Sequence, residues 1–404
     1  MKKQIRLGMI GTGNICCGGH LPQHAQIEDF VVTAMYDVDA GAMAHARDVY
    51  IEEAKKYGRA IAPESIRLCR DAEELFSLVD AVDICTSLRY HAYYAHLALE
   101  HGVCAMSEKP MARTWLEAAR VAHVAQSAAG VYQLNDDNLF IPRFLVAKAL
   151  IDGGHIGDIE SVRIARGTPS SQRAQWFYTV LEGGGGAILD YGSHAVTNAW
   201  SLIGFDKTPV EVRSMGVVCR EKTRVVEGRM QNVNIDDDAH FKVLFRDPKT
   251  DAWIDISVEA TWTWQHYGER SSDVDGYFEV QGTLGTLTTV PGENGAVFIR
   301  LRSRTMGERL FPVDAVESEE YSFRCEFINF ARAIQTGNQP FLNADTGSDT
   351  IAIINAAQLS EQRGRHAVTL EELKRVSAGY LTGAKDVWEA SDRLVADLNR
   401  QFIR

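Results

Sequence analysis

No stretch of this chain approaches the roughly 20 consecutive apolar residues that a helix needs to cross a bilayer, so no membrane span is expected. Paired CxxC spacing is also lacking. The seven cysteines (Cys16, Cys17, Cys69, Cys85, Cys104, Cys219 and Cys325) are scattered and odd in number. They offer no zinc-ligand pattern, so no metal site is expected, and they read as reduced thiols of a cytoplasmic protein. Nor is there a basic stripe: the formal net charge is -12, which argues against a phosphate backbone as partner and therefore against nucleic acid. Internal repeats and low-complexity segments are absent. The opening MKKQIRLGMIGTGN is basic like the start of a signal peptide, but its apolar part is short and runs straight into glycines. It reads as a first strand instead.

What is present is a chain of 404 residues, 45% hydrophobic and 24% charged, long enough for two domains. From Ile5 to about Leu134, short apolar runs alternate with helical patterns. The runs are Ile5 to Ile10, Phe30 to Tyr36, Ile66 to Cys69, Ala81 to Thr86, Val103 to Met106 and Val131 to Leu134. Asp71 with Glu74, and Thr114 with Glu117, have capping-box spacing for helix starts. The pattern predicts a doubly wound parallel sheet over residues 1–135.

Beyond it, Ile159 to Arg166, Val210 to Arg220, Ala239 to Phe245, Ile254 to Trp264, Phe278 to Thr289 and Val297 to Arg302 are strand-like and joined by loops. With helical patterns at Ser322 to Thr336 and Asp345 to Arg363, they predict an α+β domain over 136–369 with a large, mainly antiparallel, open-faced sheet. Residues 370–404 carry Val387, Ser391, Leu394, Leu398 and Phe402 at helical spacing. They form an expected C-terminal helical extension, docked on the body or on a partner subunit.

Four groups of residues carry chemistry. Gly11, Thr12, Gly13, Asn14, Ile15 and Cys16 follow the first strand with the spacing of a dinucleotide fingerprint. Gly11 allows the tight turn, Gly13 allows a pyrophosphate to approach, and Cys16 is a small third residue. Gly18, Gly19 and Pro22 make the following helix start irregular. Asp37 ends the second strand about 20 residues on, where a carboxylate can accept from a ribose diol and repel a 2′-phosphate. Its alternative role is to cap the next helix or turn. Lys109, at the carboxyl end of the fifth strand within Glu108-Lys109-Pro110, either faces the ligand crevice and stabilises charge on an alcohol oxygen or is a solvated surface lysine. Asp190 and His194, four apart after Gly183 to Gly186, share one helix face. They are an acid–base pair or a buried histidine satisfied by its neighbour.

Together these segments resemble the Gfo/Idh/MocA family, from about Ile5 to Thr369. The likeness rests on the fingerprint, Val82 to His91 (VDICTSLRYH), Glu108-Lys109-Pro110, Gly157 to Val162, Gly185 to His194 and Gly282 to Leu287. It implies a Rossmann domain that binds NAD, with NADP less favoured, through Gly11, Thr12, Gly13, Asn14, Ile15, Asp37, Thr86, His91, Glu108 and Lys109. It also implies an α/β domain with an open sheet, the substrate alcohol being held between the nicotinamide and that domain. Lys109 would polarise the reacting hydroxyl, His194 would take its proton, and Asp190 would hold the substrate or the histidine. The implied substrate is a carbohydrate or cyclitol, and the implied assembly is a homodimer or homotetramer through the open sheet face. Trp262 and Trp264 would suit that face or a sugar-facing wall.

Departures from the family pattern are Ser87, where proline is common, and Asn138 and Leu139 ahead of Phe140 and Pro142. Loop Thr168 to Tyr178, with Trp176 and Phe177, is a candidate specificity element or simple packing. Two other functions fit the same resemblance: an NAD-dependent glycosidase working through transient oxidation, and a ligand sensor that has lost its chemistry. Retention of both Lys109 and His194 disfavours the sensor.

Overall fold

The computed structural model describes residues 4–168, 174–263, 276–292, 296–313 and 319–403. They divide into two compact units. The first is Met1–Ala112, Glu117–Phe140 and Ser318–Ser348. Its six parallel strands are β1 (Ile5–Ile10), β2 (Phe30–Tyr36), β3 (Arg67–Leu68), β4 (Ala81–Ile84), β5 (Cys104–Ser107) and β6 (Tyr132–Leu134). They alternate with α1 (Leu21–His24), α2 (Ala40–Lys56), α3 (Ala72–Phe76), α4 (His91–Glu100) and α5 (Trp115–Ala125). The sheet order β3-β2-β1-β4-β5-β6 places a change of winding direction between β1 and β4. In such sheets the ligand crevice opens at the carboxyl ends of those strands.

Leu7, Met9 and Ile10 of β1 are fully buried, as a strand covered by helices on both faces must be. The Asp71 side chain accepts from the Glu74 N–H at 2.8 Å, as the capping spacing predicts. The chain after β1 is irregular, also as expected: a π-helical turn at Cys16–His20 precedes α1. Pro22 at the start of α1 has no N–H to donate, and Leu21 donates back to Cys16 O.

The second unit is Arg113–Leu116, Ile141–Glu317 and Asp349–Arg404. It contains α6 (Pro142–Asp152), α7 (Val180–Gly183) and α8 (Ala187–Ile203). Its strands begin with β7 (Ile159–Gly167), β8 (Thr208–Val218), β9 (Thr223–Val226) and β10 (Arg229–Asn232). They continue with β11 (Asp238–Arg246), β12 (Trp253–Thr261), β13 (Tyr277–Gly282), β14 (Gly285–Pro291), β15 (Val297–Ser303), β16 (Gly307–Val313) and β17 (Val368–Thr369). Nine of them form a sheet in the order β16-β15-β14-β13-β7-β12-β11-β8-β17. Its neighbours are antiparallel except the pair β7 and β12. Alternation sets the faces. Val162, Ile164, Ile256, Val258, Phe241 and Val243 turn to the buried side, where α8 packs on β7, β12 and β11.

Several expectations are corrected. Phe278 to Thr289 is not one strand but the hairpin β13–β14, closed over Thr283 and Leu284 between the paired Gly282 and Gly285. A second hairpin, β9–β10, went unanticipated, although Glu227 and Gly228 both have positive φ, the signature of a two-residue hairpin turn. Helix α9 (Glu319–Thr336), assigned by sequence to the second domain, belongs to the first unit. Its Phe323, Phe327 and Phe330 join the core formed with Leu21 and Phe30. An apolar stripe shows that a helix covers something, not which sheet it covers.

Helix α10 (Ala344–Gln362) is followed by α11 (Leu370–Gly379) and α12 (Val387–Leu398). The tail is thus two helices, and it is built into the second unit. Asp392 pairs with Arg113 at 2.8 Å, and the Asn399 amide donates to Gly184 O at 2.8 Å.

The outer face of the nine-stranded sheet carries cross-strand charges, with Arg163 on Glu259 at 2.7 Å and Lys242 on Asp255 at 3.6 Å. Trp253, in the same register of β12 as Asp255 and Glu259, is exposed on that face as well. Trp262 is fully buried, and Trp264 lies outside the described residues. Among the described residues no helix is long and apolar enough to cross a membrane.

Candidate active site

In the first unit the candidate residues gather at the carboxyl ends of β1, β2, β4 and β5. Gly11 has φ +83°, and a Cβ there would lie 2.7 Å from the backbone of Cys85 and Thr86. Both the turn and the contact with the end of β4 therefore require glycine. At Gly13 a Cβ would meet nothing within 4 Å, so the protein's own packing does not explain this glycine, whereas a pyrophosphate cradle does. Cys16 is fully buried in the core, as the third fingerprint residue should be. Asn14 and Ile15 are exposed at the rim of the turn.

Asp37 Oδ2 accepts from the Thr12 N–H at 2.6 Å and the Thr12 hydroxyl at 3.0 Å. The next helix has a cap of its own, because Asp39 accepts from Gly41 and Ala42 at the start of α2. Asp37 Oδ1 also accepts from the Asp39 N–H at 3.0 Å, so Asp37 caps the turn after β2 while its other oxygen ties it to the glycine turn.

At the end of β5, Glu108, Lys109 and Pro110 form a turn with a cis Lys109–Pro110 bond. His91 bridges this turn to the end of β4. One ring nitrogen lies 2.8 Å from Pro110 O and the other 2.9 Å from Thr86 O, and burial pulls its pKa down. Both nitrogens of His91 therefore face backbone carbonyls, as a brace would. Glu108 is engaged in the same way: Oε1 is 2.9 Å from His20 Nε2, and Oε2 accepts from the Lys109 N–H at 3.2 Å.

Sequence reading missed what stands behind Glu108. His20 Nδ1 is 2.7 Å from Asp83 Oδ2, and His24 Nε2 is 2.8 Å from the same oxygen. All three side chains are fully buried, with His20 against Phe323 and Phe327. Burial opposes charge on His20, but the two carboxylates outweigh it and raise its pKa well above the usual value. Burial also opposes charge on Asp83, yet the two histidines hold its pKa below the ordinary carboxylate range. His20 is therefore an imidazolium clamped between Asp83 and Glu108. The available signal was a lone aspartate inside the apolar run of β4.

Glu326 of α9 faces the same cluster. It is buried, and among the described residues neither carboxylate oxygen has a hydrogen-bond partner. Burial, Asp137 and Glu108 raise its pKa well above normal, which favours the neutral acid over the carboxylate. An acid whose folded pKa is raised destabilises the fold at pH values above its unfolded pKa, about 4.3, because the unfolded chain can ionise there. Glu326→Gln should therefore raise the melting temperature near neutral pH, with the gain vanishing as the pH falls below about 4. Melts at the two pH values check this, and an unchanged or lower melting temperature at neutral pH would contradict it.

In the second unit the candidate residues lie on α8. Asp236 caps this helix: its Oδ1 accepts from Gly186 at 2.7 Å and its Oδ2 from Ile188 at 2.8 Å. Burial pushes the Asp236 carboxyl up to about 6, against the pull of these donors. A Cβ at Gly186 would lie 1.8 Å from Asp236 O, which explains the last of the four glycines. Gln358 and Asn399 both donate to Gly184 O and fix the turn from behind. Held in this way, α8 places Asp190 and His194 one turn apart, and both are buried. The indole N–H of Trp262 donates to Asp190 Oδ2 at 2.9 Å. Trp176 and Phe177 stack on each other with ring centroids 3.7 Å apart; residues 169–173 of their loop lie outside the described set.

Residues 5–136 match the model of the oxidoreductase family with an NAD-binding Rossmann fold, and residues 144–288 match that of the GFO/IDH/MocA C-terminal domain. The chain belongs to the Gfo/Idh/MocA family. This Gfo/Idh/MocA protein is 23% identical over 378 residues to the uncharacterized oxidoreductase YrbE of Bacillus subtilis (strain 168), covering 93% of this chain and all of that relative. It is 27% identical over 306 residues to levoglucosan dehydrogenase of Pseudarthrobacter phenanthrenivorans, covering 70% of this chain and 73% of the relative. A solved structure of levoglucosan dehydrogenase with NADH and levoglucosan shares the fold at TM-score 0.73 and 20% identity, over 91% of this chain and all of that one.

The cofactor of the Gfo/Idh/MocA Rossmann unit is NAD, and the residues fit it. Gly13 leaves room for a pyrophosphate at the turn, and Asp37 stands with a fixed carboxylate where a ribose is recognised. A preference for NAD over NADP is expected from that carboxylate, and Asp37→Ser should narrow it. Cofactor titrations check this; equal binding of NAD and NADP by the unmodified protein would contradict it.

Proposed function

We propose that the protein transfers a hydride between NAD and a secondary hydroxyl of a sugar, cyclitol or glycoside. The observation that carries the reading is the retention of two prepared groups: a lysine on a turn braced by Glu108 and His91, and a buried Asp190–His194 face on a capped helix. Bound NAD supplies the hydride acceptor. Lys109 donates to the reacting oxygen and stabilises the charge that develops there. His194 accepts the hydroxyl proton, and Asp190 holds the ring or the substrate. The levoglucosan dehydrogenase relative supports a sugar-type alcohol as the substrate class.

The test is a panel of sugars, cyclitols and glycosides, followed by nicotinamide absorbance and by product mass in parallel. Stoichiometric NADH with loss of two hydrogens from one substrate is the expected outcome. Glycoside cleavage without NADH accumulation would replace this reading with the elimination chemistry of a glycosidase, and no turnover of any panel member with NAD bound would overturn it.

A further inference from the structure

Trp262 follows β12, and its whole side chain is buried. Three elements hold the ring. Phe177 and Tyr178 meet it edge-on, with centroids 6.4 and 5.8 Å away. The guanidinium of Arg224, on β9, lies 5.9 Å from its centroid and is itself fixed by Asp237 at 2.8 Å. A buried indole N–H needs an acceptor, and here the acceptor is the side-chain carboxylate Oδ2 of Asp190, at 2.9 Å. A buried carboxylate gains from each donor that meets its charged form, and a short donor from a locked ring also removes its rotational freedom.

We infer that Trp262 is a positioning residue of the reaction: it holds the Asp190 side chain in one orientation on the α8 face it shares with His194 and acts through that group alone. The inference rests on the reading of Asp190 given above. It also gives the aromatic segment Gln175–Tyr178 a role, since Phe177 and Tyr178 help to set the indole.

The experiment is a double-mutant cycle on the full-length protein with the substrate found by the panel. Trp262→Phe keeps a ring and removes the donor. It should lower kcat by about 10- to 100-fold, the usual worth of a hydrogen bond to a charged group, while NAD affinity and substrate KM stay nearly unchanged. In an Asp190→Asn background the same substitution should change kcat by less than about 2-fold, because the carboxylate it serves is gone. Equal losses in both backgrounds, or wild-type kcat in Trp262→Phe, would overturn the inference.

If Asp190→Asn alone keeps normal turnover, the role of Asp190 has failed and the inference with it. An impaired Asp190→Asn beside an unaffected Trp262→Phe overturns the inference only. A measurement that does not depend on Trp262→Phe folding well is exchange of the Trp262 indole proton in the wild type. It should be strongly protected, with protection reduced in Asp190→Asn; rapid exchange in the wild type would overturn the inference.

Discussion

Replacing His194 by Ala should lower turnover by about 10² to 10⁴, the usual contribution of a positioned acid or base, and leave NAD affinity nearly unchanged. Lys109→Ala should do the same. The asymmetry between binding and turnover follows from where the groups are. The turn to which we assign the dinucleotide is built from Gly11 and Gly13 with Asp37 bonded to it, and His194 is no part of it. Lys109 sits one residue beyond Glu108, whose two oxygens are occupied by His20 and by the Lys109 backbone. Truncating the lysine side chain therefore leaves the turn itself in place. Fluorescence or calorimetric NAD binding, measured beside steady-state rates, separates the two effects. Near-normal turnover in both variants would show that the active site lies elsewhere.

The other large effect falls on stability. Asp83→Asn should cost about 3 to 5 kcal/mol, because it leaves the His20 imidazolium buried without its stronger partner. The pH dependence has a definite sign. His20 has a folded pKa raised above the unfolded value of about 6.5, so its contribution is fully present below that value and is lost as pH rises through the folded pKa. Asp83 has a folded pKa below the unfolded value of about 3.9, so its contribution is present above that value and is lost only as pH falls through the folded pKa. His24 works in the opposite sense, since burial lowers its pKa, but that burial is shared by wild type and variant. The stability gap between them should therefore be widest from mildly acidic to neutral pH and should shrink in alkali as His20 loses its proton. Urea unfolding of both proteins near neutrality and at clearly alkaline pH measures it. A gap that is small near neutrality, or that grows in alkali, would contradict the clamp.

The parts of the molecule legible in sequence are those set by neighbours along the chain. Strands β1 and β2 have the expected ends, Ile5–Ile10 and Phe30–Tyr36, because each is an apolar run stopped by a turn residue. Asp190 and His194 share a helix face because their separation of four fixes it. The illegible parts depend on contacts made across the fold. The clamp draws His20 and His24 from the fingerprint segment, Asp83 from β4 and Glu108 from the end of β5, with Glu326 facing it from α9. No local period links those positions. The two readings of Asp37 were equally hard to separate in sequence, and only the fold shows its carboxylate bonded to both Thr12 and Asp39, with Asp39 capping α2. The burial of Trp262 was illegible for a related reason: its partners Phe177, Tyr178 and Asp190 are remote from it in sequence.

The central claim is that a carbinol hydrogen of the substrate passes to the nicotinamide with Lys109 and His194 acting on the hydroxyl. It is tested most directly with a substrate deuterated at the oxidised carbon, in a single turnover with enzyme in excess, followed by mass analysis of the nicotinamide. Wild-type enzyme should deliver one deuterium to each reduced nicotinamide, and Lys109→Ala and His194→Ala should deliver it at least about 100-fold more slowly. Product formed with no deuterium in the nicotinamide, or transfer at the wild-type rate in both variants, would contradict the account.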